Sequence, residues 1–62
     1  MYVIQHKEYK NFYKLKIAKS MTHFVLDIKE AKKFKTKKLA LKILNEFKKP
    51  QNYELVRIKN EG

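Results

Sequence analysis

The order of apolar and polar positions changes period once along the chain. Tyr2 to His6 is a short β-prone run, and the polar stretch His6-Lys7-Glu8-Tyr9-Lys10-Asn11 after it reads as a hairpin connection. It lacks the Asn-Gly or Asp-Gly pair that favours the tightest turns. From Phe12 to Lys19 the pattern alternates, which predicts a strand with Tyr13, Leu15 and Ile17 on one face and Lys14 and Lys16 on the other, solvated face. Thr22 to Leu26 is a further β-prone run, with Phe24 and Leu26 expected on one side and His23 and Val25 on the other.

Asp27-Ile28-Lys29-Glu30-Ala31 reads as a turn or a single helical turn, and Lys32 to Lys35 as an extended piece that carries Phe34 to the core. The helical period begins at Thr36, a good N-cap. Leu39, Ala40, Ile43, Leu44 and Phe47 then fall on one face, and Pro50 requires the helix to have stopped before it. Lys48 and Lys49 are placed at its C-terminus, where they would complement the helix dipole. Tyr53 to Lys59 reads as a last strand, and the tail 60–62 is expected to fray. The predicted fold is α+β: a small antiparallel sheet of three to four strands with one helix on one face, in the order ββ(β)αβ.

A chain of 62 residues holds a single small domain with one small core, and with no cysteine neither a disulfide nor a thiolate-bound metal reinforces it. Such a core leaves homodimerisation open. The opening Met1-Tyr2-Val3-Ile4-Gln5 is not a basic leader followed by a long apolar run, and no apolar stretch approaches the ~18 residues that span a bilayer, so a cytoplasmic protein without a membrane span is expected.

Charge narrows the partners. Sixteen basic residues against six acidic give a net +10, and residues 32–49 hold eight lysines against Glu46 alone. A field of this kind favours a polyanion: DNA or RNA, an anionic lipid surface, or an acidic face of a host protein. It excludes a DNA mimic. On a helical projection Lys38, Lys42, Asn45 and Lys49 fall within about 60° of arc opposite the apolar face, and Lys35 extends this stripe at its N-terminal end. Like charges at these spacings repel, so the stripe is not arranged for the stability of the isolated helix. Lys35, Lys38, Lys42 and Lys49 are therefore the first candidate contacts. Lysine lacks the bidentate fork that reads guanine, so weak sequence preference is expected.

Aromatic residues interleave with further lysines: Tyr2, Tyr9, Phe12, Tyr13 and Tyr53 against Lys7, Lys10, Lys14 and Lys16. Single-strand binders stack bases on rings and hold phosphates with cations. Lys14 and Lys16 join the candidate contacts, and Tyr9 and Phe12, on or near the loop, are the candidate stacking residues. Tyr13 shares a face with Leu15 and Ile17 and is expected in the core. His6 and His23, without cysteine and with few carboxylates nearby, make a poor metal set, so no metal or cofactor is implied. One terminal glycine rules out a Gly-rich phosphate loop, and Ser20, Asp27 and Glu30 form no catalytic constellation. The expected activity is binding and not catalysis.

The stretch DIKEAKKFKTKKLALKIL, preceded by MYVI and THFVL, is similar to small uncharacterised proteins of phages and prophages of low-GC Gram-positive bacteria. The matching positions are Asp27, Ile28, Glu30, Ala31 and Phe34, then Thr36, Lys37, Ala40 and Ile43, then Tyr53, Glu54 and Ile58. Where such sequences often carry an acid after Thr-Lys-Lys, this chain has Leu39. The resemblance implies a viral or prophage origin and a compact fold of this kind; it carries no established activity, since such proteins range from unassigned to inhibitors of host defence or host machinery. Phe34, Thr36, Lys37 and Ala40 also resemble the start of the helix in DNA-binding arm domains of phage integrases, which end with that helix, whereas this chain continues into Tyr53 to Lys59. The expected function is non-enzymatic contact with nucleic acid through the lysine stripe, or with a host protein through the same basic face.

Overall fold

A computed structural model describes residues 1–18 and 21–58. The expected strand ends at Lys19 and Lys59, together with Ser20 and the tail 60–62, lie outside the described residues. Strands β1 (Tyr2–His6), β2 (Phe12–Ala18), β3 (Met21–Val25) and β4 (Tyr53–Arg57) and helix α1 (Lys37–Leu44) follow in the order β1 β2 β3 α1 β4, the predicted α+β arrangement. The sheet is antiparallel with strand order β3-β2-β1-β4. Its first and last strands are therefore neighbours, Tyr2 opposite Arg57 and His6 opposite Tyr53.

Both faces of the sheet are covered. Val3 and Ile4 are each fully buried although successive strand residues point to opposite faces. On one face α1 lays Ala40 and Leu44 over Ile4, Tyr13 and Phe34. On the other, Ala31 and Ile28 cover Val3 and Phe12. Burying a side chain of the size of Val3 or Ile4 contributes about 1.5–3 kcal/mol, so two thin layers share what one core would otherwise supply.

The chain crosses between these layers through the sheet itself. β1 and β2 pair at Gln5 and Phe12. A continued ladder would set Tyr2 against Leu15, but Tyr2 pairs with Phe34 instead, their N–H groups each donating to the other's carbonyl at 2.8 Å. The Lys32 N–H donates to the Tyr13 carbonyl at 2.9 Å. Residues 32–34 thus fill the gap where β1 and β2 part, with Ala31 in one layer and Phe34 in the other. The approach is fixed by a 3-10 turn, Ile28–Glu30, whose cap is Asp27: its Oδ1 accepts from the Lys29 N–H at 2.9 Å. Lys33 closes the far end, its Nζ donating to the carbonyls of Ile28, Lys29 and Ala31 at 3.2, 2.8 and 3.2 Å.

β2 departs from the simple alternation. Tyr13 pairs with Phe24, Leu15 with His23, Lys16 with Thr22 and Ala18 with Met21, so β2 twice advances two residues while β3 advances one. Each irregularity reverses which residues face α1. Tyr13 and Phe24 enter the helix-side core, whereas Leu15, paired with His23, faces away and Ile17 is 59% exposed. The expectation that Tyr13, Leu15 and Ile17 share a face does not hold. Leu26, expected beside Phe24, lies beyond β3 and is 82% exposed.

α1 begins where Thr36 predicts: its Oγ1 accepts from the Leu39 N–H at 3.2 Å. It ends earlier than Pro50 requires. After the C-cap Asn45 the backbone tightens, Glu46 N–H donating to Ile43 and Phe47 N–H to Leu44 at 3.0 and 3.1 Å, which swings Phe47 into the ring cluster of Tyr13, Phe24 and Tyr53. Leu39, expected in the core, is 51% exposed, because the buried arc is centred on Ala40 and Leu44.

The β1–β2 connection, residues 7–11, closes with His6 N–H donating to the Asn11 carbonyl at 2.9 Å and Lys10 N–H to the His6 carbonyl at 3.0 Å. Lys10 takes φ 60°, the left-handed region. The His6 Nδ1 accepts from the N–H groups of Glu8 and Tyr9, both at 3.1 Å, so this histidine organises the turn.

Candidate nucleic-acid interface

The lysines divide according to what the backbone does with them. Lys38 and Lys42 stand exposed on the outer side of α1, one turn apart, opposite the buried Ala40 and Leu44. Lys35 is exposed as the single residue between Phe34 and the Thr36 cap. Lys33, by contrast, is held by three carbonyls and serves the turn.

Lys49 does not belong to the helical stripe. The helix has ended at Leu44, and a residue that precedes proline is pushed out of the helical region; Lys49 adopts φ −128° and ψ 71° ahead of the 3-10 turn Pro50–Asn52. This carries Lys48 and Lys49 away from the helix C-terminus, so neither acts on its last turn as expected. They instead join Lys16 at a cleft on the helix side of the sheet.

That cleft has a volume of 440 Å³ and is lined by Phe24, Phe47 and Tyr53 together with Lys16, Lys48 and Lys49. Thr22, Asn52 and Glu46 complete the lining. Its residues come from β2, β3, the segment after α1 and the start of β4. Lys16 reaches it because the bulge after Tyr13 turns the following residues over, against the expectation that Lys16 lies on the opposite, solvated face.

The rings are ordered among themselves. Tyr53 stacks on Phe24 with centroids 5.8 Å apart and planes at 12°, and Phe47 meets Tyr53 edge to face at 4.7 Å. All three are half-buried, so the rings are supported from below and retain accessible surface. His6 touches Tyr53 edge-on at 4.9 Å and Tyr9 at 4.6 Å, which extends the aromatic row to the β1–β2 turn. Glu46, the one carboxylate of the lining, also acts on Tyr13: burial pushes that phenol above its ordinary range, the Glu46 charge adds to the shift, and a hydrogen bond from the Lys16 backbone opposes it.

The stacking candidates separate. Tyr9 is 68% exposed with its ring resting on His6. Phe12 is 9% exposed and packed against Val3 and Ala31 on the far face, which removes it as a stacking surface. Lys14, half-buried at the first bulge, does not line the cleft. Phe24, Phe47 and Lys48 are cleft residues that the pattern of the chain did not single out. The legible signal was the run Phe47-Lys48-Lys49 followed by Tyr53, which interleaves rings and cations within seven residues.

Among the described residues no cluster of three or more His, Cys, Asp or Glu side chains is placed to hold a metal ion, and no helix is long and apolar enough to cross a membrane. No family model, curated protein or solved structure matches the chain.

Proposed function

We propose that this protein is a non-enzymatic nucleic-acid-binding protein that contacts the phosphate backbone with weak sequence preference. The observation that carries this reading is the distribution of lysines that the fold leaves exposed among the described residues. Lys38 and Lys42 on α1, and Lys16, Lys48 and Lys49 at the cleft, all lie on the helix side of the sheet, where Glu46 is the one acid of the cleft lining. Five exposed lysines against this one acid add little to a small domain's stability and supply an attractive field for a polyanion.

Titration of labelled DNA and RNA oligonucleotides across a salt series tests it. Each phosphate neutralised on duplex DNA lowers the slope of log affinity against log salt by about 0.9, so the double variant Lys38→Glu, Lys42→Glu should flatten that slope by about 1.8 and weaken binding while leaving the thermal melt unchanged. Absence of binding at low salt, or binding indifferent to salt, overturns the proposal. A partner captured from lysate through the same lysines and kept after nuclease treatment would replace nucleic acid by an acidic protein surface.

A further inference from the structure

We infer that the cleft between β2–β3 and the segment after α1 receives an unpaired nucleobase, so that the preferred ligand is single-stranded nucleic acid. The assignment rests on the nucleic-acid reading above and goes beyond it, since a lysine-bearing helix alone would suit a duplex equally well.

Four features point the same way. First, the lining is amphipathic in the sense a nucleotide needs: three rings, Phe24, Phe47 and Tyr53, for a flat apolar base, and three lysines, 16, 48 and 49, for the phosphates on either side of it. Second, the volume of 440 Å³ lies in the range of small-ligand sites, roughly 300–1,000 Å³, and suits a single nucleotide. Third, the rings are held by one another, Tyr53 on Phe24 and Phe47 on Tyr53, so the platform exists before the ligand arrives and little ordering entropy opposes binding. Fourth, Glu46 orients the occupant. A carboxylate in the lining repels a phosphate but accepts from a base's exocyclic amine, as do the oxygens of Thr22 and Asn52, so the base enters and the backbone stays with the lysines. A duplex keeps its bases paired and stacked inside and offers this cleft no ring.

The test uses the full chain with a short single-stranded oligonucleotide that carries one fluorescent adenine analogue, and with the same oligonucleotide annealed to its complement. The single strand should bind more tightly than the duplex, with the analogue's emission quenched on binding. Phe47→Leu, which keeps the site apolar, should weaken the single strand by about tenfold, the scale of one lost base stack, and abolish the quench, while duplex binding and its salt dependence persist through Lys38 and Lys42. If Phe47→Leu does not fold, ultraviolet crosslinking of the single strand to the unmutated protein reads the same point: adducts should fall on Phe47 or Tyr53, and adducts confined to residues outside the cleft overturn the inference. Equal affinity for strand and duplex, or an unaltered quench in folded Phe47→Leu, overturns the inference and leaves the broader reading standing. No binding of either oligonucleotide at low salt overturns both.

Discussion

Phe24 and Tyr53 stack at 5.8 Å although they belong to β3 and β4, the two opposite edges of the sheet. Adjacent strands lie about 4.8 Å apart, so a flat four-stranded sheet would hold its edges near 14 Å from one another. Contact between these rings therefore requires the sheet to curl toward α1, and the bulges in β2 supply the extra twist. The concavity of the cleft and the stacking of its rings are one geometric fact. Phe24→Ala should cost about 2–3 kcal/mol in urea denaturation, a large part of the few kcal/mol a domain of this size commands. Leu26→Ala, at a side chain exposed two residues later, should change stability by less than about 0.5 kcal/mol.

Thr36 begins α1 through a single side-chain bond to the Leu39 N–H. Thr36→Ala should lower stability by about 1 kcal/mol, and Thr36→Ser should recover most of it, as read from thermal melts followed by circular dichroism. An equal loss for both variants would assign the effect to the threonine methyl and not to the cap.

Lys10 occupies a backbone conformation that suits glycine or asparagine, held there by its N–H bond to His6. Lys10→Asn should be neutral or slightly stabilising. Lys10→Val, which adds a branch at the β-carbon where φ is positive, should cost about 1–2 kcal/mol. The comparison isolates backbone strain, because the side chain is exposed in all cases.

The buried phenol of Tyr13 gives a dependence on alkaline pH. Its folded pKa is raised, by burial first and by Glu46 second. An acid whose folded pKa is raised contributes stability that is fully present below the unfolded value, near 10 for tyrosine, and is lost as pH rises through the folded value. Ultraviolet titration of phenolate should show one of the four tyrosines ionising last, together with loss of the fold. Glu46→Gln removes one cause of the shift and should move that last step to lower pH.

Much of the fold was legible because its signals are local. Thr36 caps a helix wherever a helical period follows it, Pro50 bars one, and the β-prone runs around Val3, Phe24 and Leu55 need only strand propensity. The site was less legible because it depends on non-local geometry. Nothing in FYKLKIA marks the bulges, which fall at no glycine, yet they decide that Lys16 and not Leu15 faces the helix. Lys49 reads as a helical position on a projection that assumes α1 continues past Asn45. The fold tightens there because Phe47 packs against rings from β2, β3 and β4, none of them near it in the period of the helix. Lys38 and Lys42, which depend on the helix alone, came out where the projection put them.

β1 is held between β2 and β4, a strand that follows it late in the sequence. Until Tyr53–Arg57 has been synthesised, β1 carries one open edge, and the aromatic floor lacks Tyr53. A nascent or truncated chain that ends before β4 thus presents an unpaired strand edge with Val3 and Ile4 on the two faces of its strand, the kind of template on which other chains add. Pairing of that edge and protection from aggregation arrive together, with β4.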